Sequence, residues 1–218
     1  MIHLFAYLKG NKEDKLVFDP TYMDHVPPTA VDWSDFYKPA KELLPPDMPE
    51  PRGKAVQITC FVDSDHAGDV VTRRSRTGVL IFVNRSPIVF YSKKQGSIET
   101  SSFGSELAAM KTAVELIEGL RYKLRMMGVS IDGAAQVLAD NMSVVHNCSN
   151  PASQLKKKSN SIAYHYVRER AAMNIVSIAY IKTTENLADM FTKTQSGTVR
   201  KRLAERVLFK IKTRPTVW

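Results

Sequence analysis

Residues 60–69 read Cys60-Phe61-Val62-Asp63-Ser64-Asp65-His66-Ala67-Gly68-Asp69, an apolar run that leads directly into several carboxylates. Side chains two positions apart in a strand point to the same face, so Asp63 and Asp65 share a face if the strand continues. Carboxylates this close repel each other unless one turns to solvent or a cation lies nearby. The segment therefore predicts either a solvent-exposed second acid or a divalent metal site completed by acids from elsewhere in the chain.

The composition is typical of a folded globular protein. Of 218 residues, 44% are hydrophobic and 24% are charged, which argues against disorder. The sequence contains no apolar run of membrane-spanning length and no signal-peptide pattern at its start. The two cysteines have no ligand-type spacing, which argues against a disulfide framework or a zinc site. These features predict a soluble protein of a reducing intracellular compartment, with no membrane partner.

Positive charge is concentrated in the later part of the chain. The formal net charge is +9, yet residues 1–53 contain six Lys/Arg and nine Asp/Glu, so residues 54–218 carry a net charge of +12. Attraction to a polyanion such as a nucleic acid is one interpretation, and simple solubility is the other. Charge alone does not decide between them.

The distribution of proline divides the chain into segments. Eight of the eleven prolines lie between Pro20 and Pro51, where they favour extended conformations over helices. The aromatic residues of this stretch, Trp33, Phe36 and Tyr37, are expected to contact a protein surface. The predicted segments are a short N-terminal piece (1–24), a Pro-rich linker (25–53), a globular domain (54–195) and a basic tail that is predicted to be helical (196–218).

Hydrophobic periodicity in the globular domain predicts an α/β fold with the element order β-β-β-α-β-α-α-β-α. Short connections make the first three strands an antiparallel meander, and two more strands complete a mixed five-stranded sheet that is flanked by helices. The predicted strands are 56–62, 77–84, 88–92, 135–139 and 175–181. The predicted helices are one from 100 or 101 to 128, one from 140 to 145, one from 159 to 172 and a last one that opens at 184–186.

Four acids occupy strand ends or the first turns of helices, where α/β folds gather ligand-binding groups. They are Asp63, Glu106, Asp140 and Asp189. Each has an ordinary structural explanation, such as capping a helix or starting a turn, and that explanation is favoured for any one of them alone. Their joint occurrence favours a shared site.

Several motifs occur in a fixed order along the chain. They are FVDSDHAGD (61–69), RRSRTG (73–78), SKKQ (92–95), ETSSFGSELAA (99–109), ADN (139–141), YHYVRE (164–169) and ENLADMFTK (185–193). Over about residues 55–195 this ordered series resembles the ribonuclease H domain of copia-type LTR-retrotransposon polyproteins.

The resemblance implies a ribonuclease-H-like fold and a catalytic set that also binds metal. The set consists of Asp63, Glu106, Asp140 and Asp189, and the alignment of motifs selects Asp63 over Asp65. The implied cofactor is a pair of Mg²⁺ ions, with Mn²⁺ as a substitute. The implied partners are an RNA–DNA hybrid and a reverse transcriptase, whose tail would be residues 1–24. The implied location is the cytoplasm, within a particle, or the nucleus.

Substrate contacts are predicted for short polar side chains beside the acids and for a group of lysines, which suit the minor groove and the phosphates of a hybrid. They are Ser101, Ser102, Asn141, Lys156, Lys157 and Lys158. Helix capping by the serines and a solvated lysine loop are the alternatives. His165 is predicted to be a surface or packing residue that faces Glu169 one helical turn later. No role is assigned to His66.

Three functions are compatible with these features. The first is a metal-dependent ribonuclease H that hydrolyses the RNA strand of RNA–DNA hybrids by two-metal-ion, in-line attack of water. The second is a catalytically inactive module of the same fold that binds nucleic acid or braces a polymerase, and the presence of all four acids argues against it. The third is an integrase or transposase nuclease, which is disfavoured because the last acid is Asp189 and not a glutamate.

Overall fold

Nine strands and six α-helices occur in the residues that this computed structural model describes, which are 2–23, 31–37 and 41–210. The strands are β1 (Asp14–Leu16), β2 (Arg52–Val56), β3 (Ile58–Asp65), β4 (Arg76–Val83), β5 (Ser86–Lys94), β6 (Val129–Ile131), β7 (Ala135–Ala139), β8 (Val176–Tyr180) and β9 (Leu208–Lys210). The helices are α1 (Ile2–Gly10), α2 (Ser102–Met126), α3 (Met142–Ser149), α4 (Ser161–Ala172), α5 (Asp189–Thr192) and α6 (Gly197–Ala204). Both ends of the predicted N-terminal piece (1 and 24), two parts of the predicted linker (25–30 and 38–40) and the end of the basic tail (211–218) lie outside the described residues.

A mixed five-stranded sheet in the order β5-β4-β3-β7-β8 forms the centre of the domain. Strands β3, β4 and β5 are antiparallel, whereas β7 runs parallel to β3 and β8 runs parallel to β7. The predicted mixed sheet with flanking helices is therefore confirmed. The first sheet strand differs from its predicted bounds, because a separate strand, β2, precedes it and β3 continues to Asp65 through pairing with Arg76. Asp63 consequently lies inside a strand and not at its end.

Alternation along β3 distributes its side chains between two hydrophobic clusters. Cys60 and Val62 belong to the larger cluster, which also contains buried residues of α2, α3 and α4. Phe61 belongs to a smaller cluster on the other face, with Leu187 near α5 and Leu203 of α6. The sheet is thus covered on both faces, and α6 is part of the packed domain.

Helix α2 begins and ends close to the capping residues that predicted its bounds. Ser101 is the N-cap, since its side chain accepts a hydrogen bond from the Gly104 backbone N–H. The helix stops before Gly128, which has a left-handed φ of +72°. None of the helices within the described ranges is long and apolar enough to cross a membrane.

The predicted start of the last helix of the globular domain, at 184–186, is wrong. A 3₁₀ turn at Thr183–Glu185 and the four-residue helix α5 replace it. The Asn186 side chain accounts for the break, because its amide nitrogen donates to the Val62 carbonyl at 3.0 Å and its oxygen accepts from the Ala188 N–H at 3.1 Å. These bonds attach the chain to β3 and begin a new helix at Asp189.

The described parts of the Pro-rich segment pack on the domain. The guanidinium of Arg168 in α4 lies 5.0 Å from the Trp33 ring and 6.0 Å from the rings of Phe36 and Tyr37. Farther along, the Glu42 carboxylate binds two arginines of α2. The predicted aromatic contact with a surface is therefore present, and the surface belongs to this domain.

Candidate metal centre

Asp63 is the centre of the acidic site, and a glycine opposite it makes the site possible. The Asp63 residue is completely buried and pairs with Gly78 of β4. A Cβ atom at Gly78 would lie 2.8 Å from the Ala188 carbonyl oxygen and 2.7 Å from the Thr192 methyl carbon. The missing side chain therefore lets α5 pack directly on β4, beside Asp63.

Three acids from three elements meet at this point. Carboxylate oxygens of Asp63, Glu106 and Asp140 all lie within 4.8 Å of one another. The parallel pairing of β3 with β7 explains one approach, because Phe61 is opposite Leu138 and the two aspartates follow two residues later. The structure thus brings together three of the four predicted acids.

Buried hydrogen bonds fix the start of α2 against the sheet and so position Glu106. The Ser64 hydroxyl of β3 donates to the Ser105 hydroxyl at 3.0 Å. The Gln95 side-chain amide donates to the Ser105 carbonyl at 2.9 Å and to the Thr77 hydroxyl at 3.0 Å. Ser64, Gln95 and Ser105 are buried, and sequence reasoning assigned none of them a role in the site.

The negative charges of the three clustered carboxylates repel one another, and this repulsion is unfavourable unless a cation binds between them. Burial, followed by the negative charges of Asp63 and Asp140, raises the pKa of Glu106 to about 9. Burial and the charge of Asp63 also raise the pKa of Asp189 to about 6. Clustered carboxylate oxygens are the donor type that hard divalent cations prefer. The donor set therefore fits a divalent metal ion.

The fourth predicted acid, Asp189, meets Asp63 through a lysine. The Lys193 Nζ atom lies 3.2 Å from Asp189 Oδ1 and 3.3 Å from Asp63 Oδ2. The Thr192 hydroxyl donates a hydrogen bond to Asp63 Oδ2 as well. Burial alone would lower the pKa of Lys193, but the charges of Asp63 and Asp189 raise it above its usual value.

Sequence reasoning missed Thr192 and Lys193 as members of the site. A signal was available, because Thr192 and Lys193 follow Asp189 by three and four residues, and side chains at this spacing share one side of a helix. Both lie inside the motif 185–193, in which only Asp189 was assigned a role.

Asp140 is not the cap of the helix that follows it. Asn141 is the N-cap of α3, since its side-chain oxygen accepts from the backbone N–H groups of Ser143 and Val144 at 3.1 and 3.2 Å. The capping explanation for Asp140 is therefore wrong. Its carboxylate lies with those of Asp63 and Glu106 instead.

Among the predicted substrate-contact residues, Ser101 and Lys157 bind each other. Ser101 caps α2 and also accepts a hydrogen bond from Lys157 Nζ. Ser102, Lys156 and Lys158 are exposed. The Ser101–Lys157 contact joins the lysine segment to the beginning of α2, the helix that carries Glu106.

The remaining polar residues of the motifs lie apart from the three acids. Asp65 lines an open groove beside the site and is not a member of the acid group. The buried Nδ1 atom of His66 has no hydrogen-bond partner among the described residues. His165 is exposed on α4, and its Nδ1 lies 2.9 Å from the Tyr37 hydroxyl. Glu169, which was predicted to face His165, forms an ion pair with Arg170.

Comparison with known proteins gives retrotransposon polyproteins among the relatives of this chain. No family model matches the chain. The retrovirus-related Pol polyprotein of transposon RE1 from Arabidopsis thaliana is 24% identical over 156 residues, which are 72% of this chain and 11% of the polyprotein. The corresponding polyprotein of transposon TNT 1-94 from Nicotiana tabacum is 31% identical over 134 residues, which are 61% of this chain and 10% of the polyprotein. The chain thus spans about a tenth of the length of these relatives.

Among solved structures, the crystal structure of LC11-RNase H1 in complex with an RNA/DNA hybrid is similar in fold. Its TM-score is 0.51 at 17% sequence identity, and the match covers 62% of this chain and 94% of that chain. At this level of identity the likeness concerns the fold, and the five-stranded sheet of this chain is the part of the molecule to which it applies.

Proposed function

Since the chain is homologous to a segment of retrotransposon Pol polyproteins and has a ribonuclease H fold, as its motifs predicted, we propose that it is a metal-dependent endoribonuclease. The proposed reaction is hydrolysis of the RNA strand of RNA–DNA hybrids during reverse transcription. The observation that carries the proposal is the meeting of Asp63, Glu106 and Asp140 within 4.8 Å at the centre of that fold.

The acids have a defined task in this reaction. Asp63, Glu106 and Asp140 would hold one divalent ion, and Asp63 with Asp189 would hold a second. Mg²⁺ is the proposed ion and Mn²⁺ its substitute, because both accept oxygen ligands. Such ions supply an activated water and stabilise charge on the scissile phosphate. The chain itself keeps the acids in place through the bonds of Ser105 and the close packing at Gly78.

Substrate recognition would depend on the shape of the duplex and on its phosphates. The related fold of LC11-RNase H1 was solved with an RNA/DNA hybrid, which supports the same substrate class for this chain. The proposed contacts are Ser101, Ser102, Asn141, Lys156, Lys157 and Lys158. Lysines bind phosphates with little sequence preference, so binding should weaken as the salt concentration rises.

The partner is proposed to be a reverse transcriptase within the same polyprotein. Residues 1–24 would be the tail of that enzyme, residues 25–53 a linker, residues 54–195 the ribonuclease domain and residues 196–218 a basic extension. Reverse transcription would place the protein inside the cell, in a cytoplasmic particle or in the nucleus.

Cleavage of a labelled RNA–DNA hybrid in Mg²⁺ tests the proposal. The wild-type chain should cut the RNA strand, and Asp140→Asn should lower the rate by about a thousandfold, because residues that act as one catalytic unit lose most of their effect together. Asp47→Asn removes an exposed carboxylate from the Pro-rich segment and is the matched control.

Two outcomes would contradict the proposal. A folded wild-type chain that leaves the hybrid intact would favour the inactive nucleic-acid-binding module. Cleavage of a DNA duplex at the same rate as the hybrid would favour a nuclease of the integrase or transposase type.

A further inference from the structure

Lys193 places its ammonium group between the carboxylates of Asp63 and Asp189. Its Nζ atom lies 3.3 Å from Asp63 Oδ2, 3.4 Å from Asp63 Oδ1 and 3.2 Å from Asp189 Oδ1. The side chains that it bridges are 1% and 11% exposed, so this contact differs from an ordinary surface ion pair. A positive charge therefore already lies where a metal ion between Asp63 and Asp189 would have to bind.

The two sides of Asp63 differ in this respect. On one side, the carboxylates of Glu106 and Asp140 approach that of Asp63, so three negatively charged groups meet there. On the other side, Thr192 donates a hydrogen bond to Asp63 and Lys193 bridges it to Asp189. The chain itself therefore fills one of the two proposed metal positions, the one between Asp63 and Asp189.

We propose that Lys193 is an internal cation that holds Asp63 and Asp189 together without metal and must leave before an ion binds between them. The inference rests on the metal site of the proposed function. It makes the two metal positions unequal, with the position at Asp63, Glu106 and Asp140 binding first. Lys193 acts in this way as a positioning residue, through Asp63 and Asp189.

An open groove beside Asp63 can accept the displaced ammonium group of Lys193. The Lys193 side chain is 38% exposed and lines the open groove that also contains Asp65 and Asp69. Its four-carbon stem is flexible, so the ammonium can turn from the buried carboxylates into this groove without movement of the α5 backbone. The exchange therefore requires a side-chain rotation only.

Calorimetric titration of the full chain with Mn²⁺ tests the inference. The wild-type chain should bind one Mn²⁺ tightly and a second one weakly. Lys193→Met removes the competing charge, so the second ion should bind about tenfold more tightly and a second tight site should become visible. Lys193→Arg keeps a positive charge and should retain the weak second site.

Lys94→Met is the matched control. Lys94 is 41% exposed and lines the same groove, but it pairs with Asp69 and not with Asp63 or Asp189. The variant therefore loses the same charge from the same groove and should bind Mn²⁺ as the wild-type chain does. Lys193→Gln is titrated in parallel, so that the comparison does not depend on the folding of a single variant.

Thermal unfolding gives a second measurement. In EDTA, Lys193→Met should have a lower Tm than Lys94→Met, because Asp63 and Asp189 then repel each other without a cation between them. Excess Mn²⁺ should raise the Tm of Lys193→Met more than that of the wild-type chain.

The outcomes separate this inference from the proposed function. If the Lys193→Met and Lys193→Gln variants bind Mn²⁺ with the wild-type affinity and stoichiometry, the inference is wrong and the metal site stands. If none of the proteins binds Mn²⁺, the proposed metal site is wrong and the inference falls with it.

Discussion

Two glutamates of this molecule, Glu42 and Glu106, lie in opposite electrostatic surroundings. Burial acts to raise the pKa of Glu42, but the hydrogen bonds and charges of Arg121 and Arg125 outweigh it and lower the pKa to about 2. Burial and the neighbouring carboxylates raise the pKa of Glu106 to about 9. The fold thus supplies two cations to the Glu42 carboxylate, whereas it places the Glu106 carboxylate among like charges. A strongly shifted pKa of the kind that Glu106 has is expected at a functional site.

Both glutamates are attached to the same helix, α2, at opposite ends. Glu106 lies near its N-terminus, whereas Arg121 and Arg125 lie in its last turns and bind Glu42 from the Pro-rich segment. One end of the helix therefore stabilises the fold by pairing charges, and the other end keeps charges unpaired for an external cation. Substitutions at the two ends should have opposite effects on stability.

Loss of the paired glutamate should have the largest effect on stability. Glu42→Gln leaves Arg121, which is 3% exposed, without its counter-charge. We expect the free energy of unfolding to fall by about 3 kcal/mol, the lower end for breaking a buried ion pair, because the Glu42 side chain is 18% exposed. Urea denaturation at pH 7 measures the change.

The pH dependence of this difference has a definite sign. A lowered pKa stabilises the folded chain at pH values above the unfolded pKa, near 4.5, and the contribution disappears as the pH falls toward about 2. The difference between wild type and Glu42→Gln should therefore shrink over this range. Asp47→Asn, which removes an exposed carboxylate from the same segment, should match the wild type at pH 7. A constant Glu42→Gln difference down to pH 2 would argue against the ion pair.

Close packing at Gly78 should have the next largest effect. In Gly78→Ala the new methyl group meets the Ala188 carbonyl at 2.8 Å, which is backbone and cannot rotate away, so α5 must shift. We expect a loss of about 2 kcal/mol in the free energy of unfolding, within the usual cost of overpacking. Cleavage of the hybrid should also fall, because α5 carries Asp189 and Thr192.

Gly96→Ala is the control for the packing at Gly78. Apart from the two chain neighbours of Gly96, no atom of the described residues lies within 4 Å of a Cβ atom at this position, so both stability and activity should remain at wild-type levels. Equal behaviour of the two alanine variants would mean that α5 does not rest on β4 as closely as these distances require.

The sequence predicted more of the sheet than of the contacts across it. Local periodicity and turn residues were sufficient for the five strands and for the antiparallel pairing of the first three, because these signals are encoded within each segment and its short connections. The meeting of Asp63 with Asp140 results from the parallel pairing of β3 with β7, which the sequence did not predict. By contrast, Gly78 acquires its role only through α5, which is more than a hundred residues away in the chain.

The break before α5 and the position of Lys193 have the same explanation. Asn186 interrupts the predicted helix by bonding to Val62, and this bond holds α5 on the sheet, where Lys193 bridges Asp63 and Asp189. The linker contact of Glu42 with α2 is likewise tertiary. Propensity within a short window contains no information on such contacts.

Neutralising the unpaired glutamate should have the smallest effect on stability, in the opposite direction. Without metal, unfolded wild-type chains release the Glu106 proton above pH 4.5, whereas folded chains retain it up to about pH 9. Wild-type stability should therefore fall as the pH rises through this range, and Glu106→Gln avoids that loss. At pH 7 in EDTA we expect the variant to be more stable by about 1 kcal/mol, less than a fully buried group would give, because Glu106 is only partly buried. Excess Mg²⁺ should reverse this order and make the wild type more stable than Glu106→Gln. The ion stabilises the intact acid group, and the variant has lost one of its ligands. Urea denaturation with and without Mg²⁺, with the exposed Glu205→Gln as control, measures both effects. A Glu106→Gln variant that is less stable than wild type in EDTA would mean that the charges around Glu106 are already compensated within the chain.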